Sequence, residues 1–147
     1  MDFTPQQAYD FGMLPLVAWR EAQDQGYAGM FAVCCVARNR VNNPSIYGWD
    51  YPSVIMKKWQ FSSFNWNDPN SQKEPHTDTD AAFGVALQAA VDCYTGADDT
   101  TGGATVYYDR SLDPDSRPDW ATDGSHTATC DIGDFHFFKV LPGHGPV

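Results

Sequence analysis

The sequence predicts an α+β domain, mainly helical, that closes on a small C-terminal β element. Three observations carry this prediction. Apolar residues recur at helical offsets through the first two thirds of the chain, β-branched and aromatic residues crowd two short runs in the last third, and loop-forming Gly, Pro, Asp and Thr separate most of these segments. With 147 residues, 42% of them hydrophobic, the chain has the size of one domain, residues 1–147, able to bury its own core.

Thr4-Pro5-Gln6-Gln7 reads as a helix start, with Thr4 as N-cap, Pro5 at the first helical position and Gln7 reaching back to complete a capping box. Gly12 and Pro15 predict that this helix is short or kinked, with helical character resuming from about Leu16 to Gln25 and Gly26 capping its end. From Ala28 to Asn42 the residues Met30, Val33, Cys34, Ala37 and Val41 recur at offsets of three and four, the mark of a buried helix that Asn43-Pro44 ends. Pro52 opens a short helix candidate, Ser53 to Trp59, before the polar loop Phe64 to Thr77. Asp78 and Thr79 are capping candidates for a helix from about Asp80 to Tyr94, whose predicted apolar stripe is Ala82, Phe83, Ala86, Leu87, Ala90, Val91 and Tyr94. Beyond Gly96 the strand candidates are Ala104 to Tyr108 and Phe135 to Val140.

Nine Lys and Arg stand against nineteen Asp and Glu, with a pI near 4.4. The resulting negative potential opposes DNA, RNA and anionic lipid, so no nucleic-acid partner is expected. No apolar run approaches the roughly 20 residues that span a bilayer, which argues against membrane insertion. The N-terminal MDFTPQQAYDFG lacks the basic and apolar regions of a secretion signal, so the chain is expected to be made in the cytoplasm and carried or released by other proteins.

The four cysteines, Cys34, Cys35, Cys93 and Cys130, lack CxxC spacing, and the apolar flanks of Cys34-Cys35 predict inert burial; spacing does not decide a Cys93–Cys130 bridge. His76, His126, His136 and His144 show no HxxxH pattern, and Asp109, Asp113, Asp115 and Asp119 lack the glycine and glutamate of an EF-hand loop. No GxSxG elbow, phosphate loop or GxGxxG is present. Neither a metal nor any other cofactor is expected.

What remains is an acid. In Ala18-Trp19-Arg20-Glu21-Ala22-Gln23-Asp24-Gln25-Gly26, Glu21 lies four residues after Val17, so a helix stacks the two, and an apolar wall beside a carboxylate disfavours its charged form. Such a glutamate can hold a proton near neutrality and give it to a leaving oxygen. The competing reading is a surface charge in a polar run, which composition alone favours.

The wider spacing is more specific. Glu21-Ala22, Gly29, Ala32-Val33, Val36 and Asn39-Arg40-Val41 follow without a gap, and Val54-Ile55 and Gln60-Phe61-Ser62 come after. Gly103-Ala104-Thr105-Val106-Tyr107-Tyr108, Trp120-Ala121 and Ile132-Gly133-Asp134-Phe135-His136-Phe137-Phe138 complete the pattern. This resembles the SleB-type cell-wall hydrolase family of spore-cortex-lytic enzymes and related phage lysins. The resemblance implies a lysozyme-like (lytic transglycosylase or muramidase) fold and cleavage of peptidoglycan between N-acetylmuramic acid and N-acetylglucosamine, commonly leaving a 1,6-anhydro sugar. It makes Glu21 the catalytic acid and has Phe61, Ser62, Tyr107 and Tyr108 line the sugar cleft, although strand alternation turns one tyrosine away from the other.

The same resemblance reads Asn39 and Arg40 as structural, a buried amide and a paired charge behind the catalytic helix. Trp49, Trp59 and Trp66 are candidates to extend the groove. Where the family reads E-A-R-G-E this chain has Glu21-Ala22-Gln23-Asp24-Gln25, so no role passes to Gln25, while Asp24 offers a nearby charge; His136 falls one place off the family's histidine and receives none. The implied partner is the peptidoglycan glycan strand, attacked by a monomer, either a released endolysin or a virion-associated enzyme. Two alternatives stand beside transglycosylation. One is a hydrolytic muramidase using Asp24 or a distant carboxylate, and the other is a non-catalytic wall-binding or virion structural protein.

Overall fold

In the computed structural model, which describes residues 2–43, 47–57, 60–65, 67–75 and 80–145, the chain opens with one continuous helix, α1 (Pro5–Ala22), rather than a broken one. The capping box forms as expected, with Thr4 Oγ1 accepting from the Gln7 N–H at 3.1 Å and Gln7 Oε1 accepting from the Thr4 N–H at 2.9 Å. Pro15 lies inside the helix and is buried. An interior proline costs about 3 kcal/mol, but Leu14 and Val17 are fully buried and each contributes about 1.5–3 kcal/mol. Only a continuous helix puts both on one stripe with Ala18 and Ala22, so packing wins.

The helix stops at Ala22, three residues before its expected end, and Gly26 (φ +68°) becomes the joint that starts α2 (Gly26–Val41). Every residue from Gly29 to Ala37 is buried, making α2 the central helix, apolar all round. Cys34 and Cys35 are fully enclosed, Cys35 meets Cys93, and all four thiols are free. The short helix α3 (Tyr51–Ile55) begins two residues earlier than predicted because Asp50 and Ser53 build a second capping box.

Helix α4 (Ala81–Tyr94) is capped by Asp80, whose carboxylate accepts from the Phe83 N–H at 2.9 Å; Asp78 and Thr79 lie outside the described residues, as do Trp59, Trp66 and His76. Its buried face is Ala86, Ala89, Ala90 and Cys93, while the predicted stripe members Leu87 and Val91 are exposed. The small residues let α4 press closely on α1 and α2, and the bulkier ones turn outward.

Three antiparallel strands follow in the order β1 (Val106–Asp109), β3 (Phe135–Val140), β2 (His126–Ile132). The first starts two residues later than predicted, and β2 has no counterpart in the sequence reading. A two-residue turn, Gly133-Asp134, joins β2 to β3, with Gly133 at φ +55° as such hairpins require. Phe135 and Phe137 reach from β3 into the core of the helices.

Gln25 pins this hairpin to the joint between α1 and α2. Its amide donates to Asp134 Oδ2 and its oxygen accepts from the Asp134 N–H, both at 2.9 Å. A Cβ on Gly29 would lie 2.3 Å from Gln25 Cβ, so only glycine fits there. The result is the lysozyme-like α+β arrangement the sequence predicts, with the end of α1 facing the sheet.

Candidate active site

Glu21 occupies a core-facing position of α1, seven residues after Leu14 and four after Val17, so its carboxyl stands half-buried where the apolar stripe meets a cleft. The cleft holds about 340 Å³, within the range of small-ligand sites. Glu21 comes from α1 and Arg40 from α2; Gln60 and Ser62 flank the acid, and Val106 and Tyr107 of β1 with Pro118 and Trp120 form the far wall.

Burial pushes the Glu21 carboxyl from its ordinary 4.5 up to about 7, the largest effect on it. Hydrogen bonds from Ser63 and the charge of Arg40 oppose the rise, and the charge of Asp68 adds to it. Ser63 Oγ donates to Glu21 Oε1 at 3.1 Å from a fully buried position in the 3-10 turn Ser62–Phe64. Neighbouring residues of so tight a turn diverge, so Ser62 faces the cleft while Ser63 faces the acid. Arg20, adjacent to Glu21, fastens the same loop: its guanidinium lies 4.7 Å from the Phe64 ring centre, donates to the Lys73 carbonyl at 3.2 Å and meets Glu74 at 3.5 Å.

The structure brings Glu21, Ser62 and Tyr107 together and separates the other two expected residues from them. Phe61 does not line the cleft; it is 1% exposed and lies beneath the Arg40 guanidinium at 4.6 Å, because an aromatic ring next to a buried cation is better placed in the core than in water. Tyr108 faces the opposite side of β1, as alternation requires, and packs on Phe138 and Trp120 with Arg117 above it. Tyr107 rests on Phe135 and Phe137 at 5.0 and 5.5 Å.

Arg40 departs from its expected place behind the helix. It lines the cleft, 3% exposed, with Nε donating to the Thr105 carbonyl at 2.6 Å. No carboxylate forms an ion pair with it among the described residues. Burial draws its pKa down to about 10, so it stays charged at neutral pH. Asn39, expected as a buried amide, is half-buried and donates to the Ala104 carbonyl at 2.9 Å and to Asp99 at 3.1 Å.

Asp24 is exposed and outside the cleft wall, Trp49 is 71% exposed in a separate hollow with Asp10 and Asp50, and His136 pairs with Asp131 beside Tyr108. Ser63, Asp68, Pro118 and Trp120 are among the site residues that sequence reasoning did not single out. Trp120 had a signal in the matched Trp120-Ala121; the others depend on how the loops fold back.

Comparison with known proteins converges on one group. A family model described as Cell Wall Hydrolase matches residues 24–138, beginning three residues after Glu21. Among solved structures, the catalytic domain of the Bacillus cereus SleB protein is similar with a TM-score of 0.70 at 23% identity, over 93% of this chain and 94% of that one. The catalytic domain of the germination-specific lytic transglycosylase SleB from Bacillus anthracis is similar with a TM-score of 0.64, also at 23% identity, over 93% of this chain and 97% of that one. No protein of curated function matches in sequence.

Proposed function

The chain belongs to the cell wall hydrolase family, and from that premise we propose that it cuts the glycan strands of peptidoglycan between N-acetylmuramic acid and N-acetylglucosamine, with Glu21 as general acid and then base. The observation that carries this reading is the Glu21 carboxyl itself, half-buried at the cleft and raised to about 7, so that it holds a transferable proton near neutrality. In the first step the Glu21 O–H bond breaks as its proton bonds to the glycosidic oxygen, and the C1–O bond breaks with its electron pair passing to that oxygen. In the second the C6 hydroxyl oxygen of the same sugar bonds to C1 and returns its proton to Glu21. No water is activated, so one carboxylate suffices and a 1,6-anhydro end results. Similarity in fold to the catalytic domain of a lytic transglycosylase supports transglycosylation as the reaction class.

In this reading Tyr107 and Trp120 cover the apolar faces of the sugars while Ser62 and Gln60 meet their polar groups. Residues 1–147 act as one catalytic unit and as a monomer, reaching the wall after release from the cytoplasm or carried by a virion. One observation favours a second reading, hydrolysis. Asp68 stands near enough for its charge to raise Glu21, and a second carboxylate is what activation of water needs.

Digestion of purified sacculi by the wild type and Glu21→Gln, followed by mass spectrometry, tests both. Anhydro ends from the wild type and none from the variant are expected. Reducing ends would move the assignment to hydrolysis, and equal release by both proteins would remove Glu21 from the chemistry.

A further inference from the structure

Arg40 is a buried cation with no carboxylate at ion-pair distance among the described residues. Phe61 and Tyr47 lie 4.6 and 5.5 Å from its guanidinium, the Thr105 carbonyl takes Nε, and Nη1 is buried with no hydrogen-bond partner among the described residues. An unpaired charge in a core is strongly destabilising. Its presence at the cleft, which it shares with an acid that burial keeps largely protonated below pH 7, points to an anion whose charge grows during turnover.

We propose that Arg40 is a positioning residue acting through Glu21: its fixed charge stabilises the carboxylate that Glu21 becomes when its proton passes to the glycosidic oxygen. The inference rests on the function proposed above. The electron pair left on Glu21 as its O–H bond breaks is the negative charge that Arg40 faces, and the charge disappears when the C6 hydroxyl returns a proton.

The separation matters as much as the charge. A close ion pair would lower the Glu21 pKa by about 1–3 units and leave the acid ionised before substrate arrived. Arg40 stands beyond ion-pair distance, so Glu21 keeps its pKa raised to about 7 and still gains a counter-charge when it ionises. The other groups facing Glu21 are the Ser63 hydroxyl and N–H from the 3-10 turn, Asp68 beyond it, and the Tyr107 hydroxyl on β1. Asp68 opposes Arg40, so neutralising each must move Glu21 in opposite directions.

The test is an NMR titration of the Glu21 side-chain carboxyl, together with pH–rate profiles on soluble glycan strands, for the wild type, Arg40→Lys and Arg40→Met. Arg40→Gln serves as a second neutral variant should the methionine form not fold. The neutral variants are expected to raise the Glu21 pKa by about one unit, a tenfold change in its acid dissociation constant. The basic limb of the rate profile should follow, with kcat about tenfold lower and KM within about twofold. Arg40→Lys, which keeps the charge, is expected to restore the titration.

An unmoved Glu21 titration in a folded neutral variant, or a lysine variant as displaced as the neutral ones, would overturn the role of Arg40 alone. Equal wall cleavage by wild type and Glu21→Gln would overturn the proposed function and this role with it.

Discussion

Glu21→Gln is expected to abolish catalysis and, above pH 7, to make the protein more stable than the wild type. Burial lifts the carboxyl from 4.5 to about 7, a displacement worth at most roughly 3 kcal/mol at about 1.36 kcal/mol per unit. The sign follows from proton counts. Between these two values the folded chain keeps a proton that the unfolded chain has lost, so stability falls as pH rises through the window, and the loss is complete above 7. The amide cannot ionise, and its oxygen can still accept from the Ser63 hydroxyl. Relative to wild type, the variant should therefore gain up to roughly 3 kcal/mol between pH 4.5 and pH 8, a large step for a domain whose total stability is of the order of 5–15 kcal/mol. Urea unfolding at the two pH values measures it. If the difference between variant and wild type is the same at both, burial does not hold the proton on Glu21, and the case for a donor poised near neutrality fails.

Three further outcomes follow from the same geometry. Ser63→Ala removes a hydrogen bond that favours the ionised carboxyl, so the basic limb of the pH–rate profile should move above that of the wild type, with severalfold lower activity at pH 6. Trp120→Ala opens the cleft's far wall and should raise KM about tenfold, at the upper end of an aromatic contact's worth, with a smaller change in kcat. Gly133→Ala forces a side chain into φ +55° with its Cβ 2.5 Å from Gln25 Oε1; thermal denaturation should show a loss of about 1–2 kcal/mol, with cleavage by the folded fraction retained.

The start of α1 was legible in the sequence because capping is local chemistry. Thr4 with Gln7 announces α1, and the periodic apolar residues from Met30 to Val41 announce α2, within a span of one helix each. The break expected at Pro15 did not occur because burial of Leu14 and Val17 is a tertiary quantity that no local preference contains. β2 was silent for a related reason: of its seven residues only His126 is buried, so it carries no alternation of apolar and polar side chains.

The site divides the same way. Glu21 was visible through the ungapped spacing from Glu21 to Val41 that resembles the family, since composition alone favoured a surface charge, and Tyr107 and Tyr108 were visible because a strand must send them to opposite faces. The exchange between Phe61 and Arg40, with the aromatic in the core and the charge at the cleft, reverses what the family resemblance implies. It depends on where the Thr105 carbonyl falls, 65 residues after Arg40 in the chain.

The link from Gln25 to Asp134 spans 109 positions, and it bears on when a working enzyme first exists. Closing a loop of that length costs roughly 4 kcal/mol of chain entropy beyond a constant, a cost that packing of the intervening helices reduces. The acid lies on α1, the first helix made, but the wall opposite it, from Val106 to Trp120, depends on non-local pairings of the kind that slow folding. A chain emerging from the ribosome therefore carries Glu21 long before it carries a cleft, and the ability to cut a wall appears only in the last stage of assembly.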